Sequence, residues 1–336
     1  MPAVARATRK LHLHIENRRR DAAVYHINSG DYAKAVIRHP RLARNLKVTY
    51  GWDGDILDAA LKTAEIVVGV PENRWRLRER APHLKWIHSL LAGVDRMAPF
   101  DWLPRDIAFT NNRGAHGHKA EQYLHMAYTM MHTRMPEILR NQRAHAWRQV
   151  FSPTISGRCA LVIGLGDLGE AAARAAHQLG LEVIGVRRTA KPCRYAHKVH
   201  SFRALNRLLP RADFVVLAVP LTPQTRNLLS RERLRLLKPE CCVINIARAP
   251  VMDYAALADR LRAGKIAGAI VDVVEPEPLP IDSELWDVPN LIITPHISCD
   301  DFGNYAQLTL DLVFDNLARL LRNRPLKNQI DRKLGY

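Results

Sequence analysis

Short apolar runs alternate along this chain with longer stretches of helical periodicity. In the first third, residues 11–15, 22–27, 48–50, 66–70, 86–90 and 107–110 read as strands. Strands that alternate with helical stretches predict a parallel sheet. A second series starts at residues 159–163 and continues at 181–186, 214–219, 242–246, 269–273 and 291–294. Its helices carry ordinary stop signals: residues 170–179 end at Gly180, and residues 256–263 end at Gly264. Between the two series, Leu124, Ala127, Tyr128, Met131 and Met135 recur at helical spacing. They predict one amphipathic helix over 118–135 whose stripe is core or subunit interface. The expected architecture is α/β, with two doubly wound parallel-sheet domains.

The second series opens on the run Gly164, Leu165, Gly166, Asp167, Leu168, Gly169. The three glycines serve different ends. Gly164 permits the tight turn, Gly166 lets the backbone approach a pyrophosphate, and Gly169 lets helix and strand pack closely. A GxGxxG alone is weak. Here a strand precedes it and a helix follows, the context in which a dinucleotide sits on the helix N-terminus. An acid that would hold the ribose 2′-hydroxyl of NAD is expected at the tip of the next strand. This chain has Arg187, Arg188 and Thr189 there instead. Two guanidiniums beside a hydroxyl suit a 2′-phosphate, so NADP(H) is the expected cofactor, with NAD(H) possible.

Three further residues stand at strand ends, where an open parallel sheet places its crevice. Arg248 follows 242–246, Glu277 lies in the acidic stretch after 269–273, and His296 follows 291–294. Arg248 suits a substrate carboxylate and the polarisation of a neighbouring carbonyl. An imidazole's unperturbed pKa lies near neutrality, so His296 suits proton donation, with Glu277 orienting the ring. Taken singly, Arg248 reads equally as a helix cap and Glu277 as one loop acid among three. Together they suit ketone reduction by hydride transfer.

Composition removes other classes. The net charge is +17, from 50 Lys and Arg against 33 Asp and Glu, and the excess divides between residues 1–113 and 114–298 instead of forming one patch. The clusters Arg18-Arg19-Arg20 and Arg74-Trp75-Arg76-Leu77-Arg78 therefore read as solvated faces, and no specific nucleic-acid site is expected. No apolar run reaches the roughly 18 residues of a membrane span. Residues 1–10 are Arg-rich without an apolar segment, which argues against a secretory signal and leaves a transit peptide open. The five cysteines are an odd number without metal-type spacing, so a reducing, cytoplasmic setting is expected. His118, His125 and His132 recur every seven residues with no acid or cysteine to complete a ligand set, so no metal is expected.

With these motifs in place the chain resembles the D-isomer-specific 2-hydroxyacid dehydrogenases over nearly its whole length. The matching segments are 91–95 (LAGVD), 110–114 (TNNRG), the glycine run, 219–226 (VPLTPQTR), 245–248 (NIAR), 272–278, 294–296 (TPH) and 325–328 (PLKN). The resemblance implies that Arg248, Glu277 and His296 are the catalytic trio. It implies a discontinuous, flavodoxin-like substrate domain of residues 1–113 and 299–336 that closes over a Rossmann domain of 114–298, with hinges near 114 and 298. Backbone amides of Leu91, Ala92 and Gly93 would grip the carboxylate of a small 2-keto or 2-hydroxy acid. Val219, Pro220, Thr225, Ile246, Ala247 and Asp272 would line the cofactor site. A homodimer through the helical arm at about 115–150 is also implied. The basic strand tip matches NADP-preferring glyoxylate/hydroxypyruvate reductases, and Cys299 stands where many members have glycine. Two alternatives stay open: a dinucleotide-sensing corepressor of the same fold, and a dehydrogenase of another small anion such as phosphite. A formate enzyme would carry an amide at Glu277.

Overall fold

Along β1 (Leu11–Asn17), Leu13 and Ile15 alternate with His12, His14 and Glu16, yet both faces are buried. The computed structural model describes residues 9–72 and 75–336; residues 1–8 of the Arg-rich start and Arg74 of the second basic cluster lie outside the described residues. The chain forms two units, one running to Ala115 and resuming over Asp301–Tyr336, the other spanning His116–Asp300.

In the first unit β1 is joined by β2 (Leu46–Trp52), β3 (Ile66–Val68), β4 (Trp86–His88) and β5 (Ala108–Thr110) in the order β2-β1-β3-β4-β5, every pair parallel. Leu13, Ile15, Ile66, Val68 and Trp86 pack with Leu310, Val313, Phe314 and Leu317 of the helix Tyr305–Leu320. Val67, Ile87 and Phe109 pack with Leu57, Leu61, Leu84 and Phe100 in a second apolar cluster. Each fully buried side chain of this size contributes about 1.5–3 kcal/mol. The polar residues of β1 are satisfied in series. His12 bonds the Thr63 and Thr49 hydroxyls at 2.9 and 2.8 Å, and His14 bonds Thr49 and Glu16, both at 2.9 Å. Glu16 then accepts the Gly54 amide at 2.6 Å.

Residues 22–27, expected as a strand, form a 3-10 turn over Ala23–Tyr25. The Asn17 side chain explains the difference: it takes the Ile27 N–H at 2.8 Å and donates to the Ile27 carbonyl at 3.1 Å. A side chain at the end of β1 thereby replaces the ladder partner that this apolar stretch would need. The basic run Arg18 to Arg20 is ion-paired, with Asp21, Asp53 and Glu72.

In the second unit β6 (Cys159–Ile163), β7 (Glu182–Val186), β8 (Lys198–His200), β9 (Phe214–Leu217), β10 (Cys242–Asn245), β11 (Gly268–Val271) and β12 (Leu291–Ile293) form a parallel sheet, ordered β12-β11-β10-β9-β6-β7-β8. The order reverses between β6 and β9, the switch point at which such sheets bind ligands. β8 carries no apolar run, being a short edge strand whose Lys198 is exposed, and the hydrophobic pattern gives no sign of it. The expected long helix is Gly117–His132, followed by a second over Met135–Arg143. Arg134 adopts a left-handed conformation (φ 55°) and Pro136 starts the new helix, so Met135 leaves the stripe. Ala120, Leu124, Ala127, Tyr128 and Met131 pack on the alanines of the helix Asp167–Gln178, making the stripe core. His125 and His132 bond the carbonyls of Glu121 and Pro153 at 2.9 and 2.7 Å.

His88, in the first unit, is fully buried. Thr110 Oγ1 accepts the Trp86 indole N–H at 2.7 Å and lies 2.8 Å from His88 Nδ1, while Nε2 faces Asn112 Oδ1 at 3.4 Å. Burial lowers this imidazole to about 4, against a smaller opposing effect of the Asn112 bond. The unfolded ring takes up a proton from about 6.5 downward and the buried ring only near 4, so acid favours the unfolded chain across that window. Stability due to the neutral ring is complete above about 6.5 and is lost as pH falls to about 4. The thermal midpoint should therefore fall less steeply over that range in a His88→Gln variant than in the wild type. Equal slopes would show that the ring is not held neutral.

Candidate functional site

The turn after β6 is shaped by what its glycines touch. Gly164 has φ 95°, and a side chain there would run into the Ala218 carbonyl and Val219. Gly169, in the first turn of the helix Asp167–Gln178, lies against the Gly164 carbonyl. At Gly166 nothing stands within 4 Å of where a side chain would begin, and no side chain caps this helix. Its first amides are thus available to an anion, reinforced by the helix dipole. Leu165 turns into the core against Gly185, so it offers the cradle backbone alone. Asp167 Oδ1 comes within 2.8 Å of the position a Gly117 side chain would take, so a larger residue there would have to displace the Asp167 side chain.

Beyond β7, Arg187 is half-buried while Arg188 and Thr189 are exposed, and the Arg187 amide donates to the His200 carbonyl at 3.0 Å. Among the described residues neither of these guanidiniums has an acidic partner. The loop after β9 is pinned by Thr225, whose hydroxyl donates to the Pro220 carbonyl at 2.6 Å and accepts the Thr222 amide at 2.8 Å. Val219, Ile246 and Ala247 are buried at the ends of β9 and β10. The residues expected at the cofactor therefore sit beyond the C-terminal ends of parallel strands, in the turns, loops and helix that follow them.

The trio stands beyond the ends of β10, β11 and β12, three of the four strands on one side of the switch. Asn245, fully buried, accepts the Ala247 amide at 3.0 Å and donates to the Arg248 carbonyl and to the Tyr254 hydroxyl, both at 3.2 Å. This shapes the turn that carries Arg248, whose guanidinium donates to the Ala247 carbonyl at 2.8 Å. Tyr254 in turn donates to the Val273 carbonyl, and burial pushes its phenol well up, keeping it a donor. Glu277 Oε2 lies 3.2 Å from His296 Nδ1, and its Oε1 accepts the Val274 amide at 3.3 Å. The imidazole is held at its Nδ1 side, with Nε2 left for chemistry.

His296 has a left-handed backbone (φ 56°), which costs about 1–2 kcal/mol for a residue with a side chain. Asp272 holds it there. One carboxylate oxygen accepts the Thr294 hydroxyl at 2.6 Å and the Ile297 amide at 2.9 Å, and the other accepts the Ser298 amide at 2.9 Å. The carboxylate of Asp272, expected among cofactor-lining residues, is thus taken up by the loop that bears His296. Tyr123 braces the same loop through Thr294 at 2.7 Å. Sequence reasoning missed Tyr123 and Tyr254, which look like ordinary core aromatics; only the strand-end location of their partners signals the role.

In the first unit the amide of Leu91 donates to Ser89 Oγ at 3.1 Å, while those of Ala92 and Gly93 have no acceptor among the described residues. The Asn111 side chain donates to the Ala92 carbonyl at 2.6 Å, fixing the turn. In the second unit, His116 and Asp300 come together at 3.3 Å next to Cys299. Burial pushes the His116 imidazolium down, and Asp300 with the Cys299 side chain outweighs it, raising the ring to about 10.

Comparison with known proteins agrees with this arrangement. The sequence profile for the D-isomer specific 2-hydroxyacid dehydrogenase, NAD binding domain, matches residues 125–298. A glyoxylate reductase of Thermococcus gammatolerans is 32% identical over 234 residues, 67% of this chain and 70% of that protein. Another, from Pyrococcus horikoshii, is 31% identical over 268 residues, 76% of this chain and 79% of that protein. The crystal structure of a D-isomer specific 2-hydroxyacid dehydrogenase from Xanthobacter autotrophicus Py2 in complex with NADPH and MES aligns with a TM-score of 0.83 at 30% identity, covering 97% of this chain and 100% of that one.

Proposed function

The chain belongs to the D-isomer-specific 2-hydroxyacid dehydrogenase family, and from that footing we propose that it reduces a small 2-keto acid to the D-2-hydroxy acid, and the reverse, with NADPH as preferred cofactor. The observation that carries this reading is the His296 and Glu277 pair, 3.2 Å apart at strand ends neighbouring Arg248. The open glycine cradle fits a dinucleotide pyrophosphate. Bound there, the nicotinamide supplies the hydride.

The protein's own groups do the rest. Arg248 holds the substrate carboxylate and draws charge from the adjacent carbonyl. In the first unit by itself, the amides of Ala92 and Gly93 are a pair of donors suited to a carboxylate. His296 gives a proton from Nε2 to the forming alkoxide, while Glu277 at Nδ1 favours the charged ring and fixes its direction. In the oxidative direction the neutral ring takes that proton back. The NADPH preference is supported by Arg187, Arg188 and Thr189 beside β7, where two guanidiniums without acidic partners meet a hydroxyl.

His296→Ala should lower turnover at least about a hundredfold while leaving cofactor affinity nearly intact, measured by nicotinamide absorbance and fluorescence titration. Unchanged turnover would remove the imidazole from the chemistry. In Glu277→Gln the limb on which reduction is lost with rising pH should move to lower pH, because a neutral amide favours the protonated ring less than a carboxylate does.

Charge-assisted contacts are worth about 1.5–3 kcal/mol each, so Arg187→Asp with Arg188→Ala should cut kcat/KM for NADPH tenfold or more and leave NADH nearly unaffected. A wild-type preference for NADH at physiological salt would overturn the assignment of these arginines.

A homodimer through the segment near 115–150 is part of the same proposal. Trp147 is 97% exposed and Phe151 81%, two large apolar side chains in this segment left open to a partner. Trp147→Arg should shift the sedimentation coefficient from dimer to monomer. A wild-type chain that already sediments as a monomer would refute this contact.

A further inference from the structure

His116 is the first residue of the second unit and Asp300 its last, so the two ends of that unit meet where Cys299 stands. A ring nitrogen of His116, Cys299 Sγ and a carboxylate oxygen of Asp300 all lie within 4.8 Å of one another. The imidazole and carboxylate are nearly enclosed, with side-chain exposures of 6% and 12%. Their nitrogen-to-oxygen separation is 3.3 Å. A charge-assisted hydrogen bond closes to about 2.7–2.9 Å. A separation of this size also fits the edge of a tetrahedron whose centre lies about 2.0–2.2 Å from both atoms, as around zinc. One imidazole nitrogen, one thiol and one carboxylate make a mixed donor set suited to borderline-soft divalent cations and poorly suited to magnesium or calcium. These are not the heptad-spaced histidines; the set joins residues remote in sequence.

We propose that His116 Nδ1, Cys299 Sγ and Asp300 Oδ1 form a site for one divalent cation of the zinc class, with a fourth position left to water. Binding releases the thiol proton and the Nδ1 proton to solvent and replaces the 3.3 Å contact of His116 with the Cys299 carbonyl. Because Cys299 lies three residues after His296, the ion also restrains the loop that carries the catalytic ring. The site rests on neither the cofactor nor the substrate assignment.

Cobalt titration of the reduced full-length protein tests this without an activity assay. One equivalent per chain should produce a thiolate-to-cobalt charge-transfer absorption, and zinc should remove it by displacement. Cys299→Ser should abolish the band, whereas Cys193→Ser, at the other partly exposed thiol, should keep it. Asp300→Asn and His116→Asn should weaken cobalt binding at least tenfold. Zinc should raise the thermal midpoint of the wild type and not that of Cys299→Ser, which decides the matter even if the His116 variant fails to fold. Absence of the band in the wild type, its survival in Cys299→Ser, or an equal zinc-induced shift in both proteins would overturn the proposal.

Discussion

The buried carboxylate of Asp272 is the constraint on which the His296 end of the second unit depends. Three donors from one loop converge on its two oxygens, and contacts to an ionised acceptor are about twice as strong as neutral ones. That suffices to hold His296 in a backbone conformation that a residue with a side chain avoids. The same geometry turns Nδ1 toward Glu277. Neither side of this arrangement stands alone: without the clamp the loop would relax to ordinary dihedrals, and without β11 ending in an acid there would be no clamp. The Tyr123 hydroxyl, reaching Thr294 from the helix Gly117–His132, extends the dependence to a brace whose own packing is almost wholly alanine, leucine and tyrosine.

Much of this was legible in the sequence because the relevant signals are local. The parallel strands announced themselves as apolar runs, and the glycine run could be assigned residue by residue, since turn, approach and packing each forbid a side chain at a known offset. The placement of Arg248, Glu277 and His296 was legible because strand ends define a place in space before any contact is known. What escaped were features set by distant partners. Residues 22–27 are apolar enough for a strand, and only Asn17 prevents one. β8 is held at an edge by backbone pairing, leaving no mark on hydrophobicity. Arg134 and Pro136 split a stripe that periodicity alone would carry through. The meeting of His116 with Asp300 spans nearly the whole second unit, beyond any spacing rule.

Two segments that look functional in the sequence turn out to be wiring. Thr110, Asn111 and Asn112 lie in one matching stretch and Asn328 in another. In the folded first unit these stretches are bonded to each other: the Asn111 amide donates to the Asn328 carbonyl at 3.2 Å, and Arg113 reaches the Asn328 side chain at 3.3 Å. Asn112 continues to Thr309 at 2.8 Å, so the run from Trp86 through Thr110, His88 and Asn112 to the helix Tyr305–Leu320 is one hydrogen-bonded series with few free ends. Buried polar series of this kind specify a single packing where apolar contacts alone would tolerate several.

The placement of that helix has a consequence for how the protein is made. The apolar face formed by Leu13, Ile15, Ile66 and Trp86 leaves the ribosome early, whereas Leu310, Phe314 and Leu317 emerge only after all of His116–Asp300 has been synthesised. At roughly 5–20 residues per second the nascent sheet stays uncovered on the order of ten seconds or more. During that interval the second unit, contiguous in the chain, can complete its own core. Synthesis thus imposes an order of folding, inner unit first and outer unit last, with an early-exposed surface that is a natural substrate for chaperones until the final helix arrives.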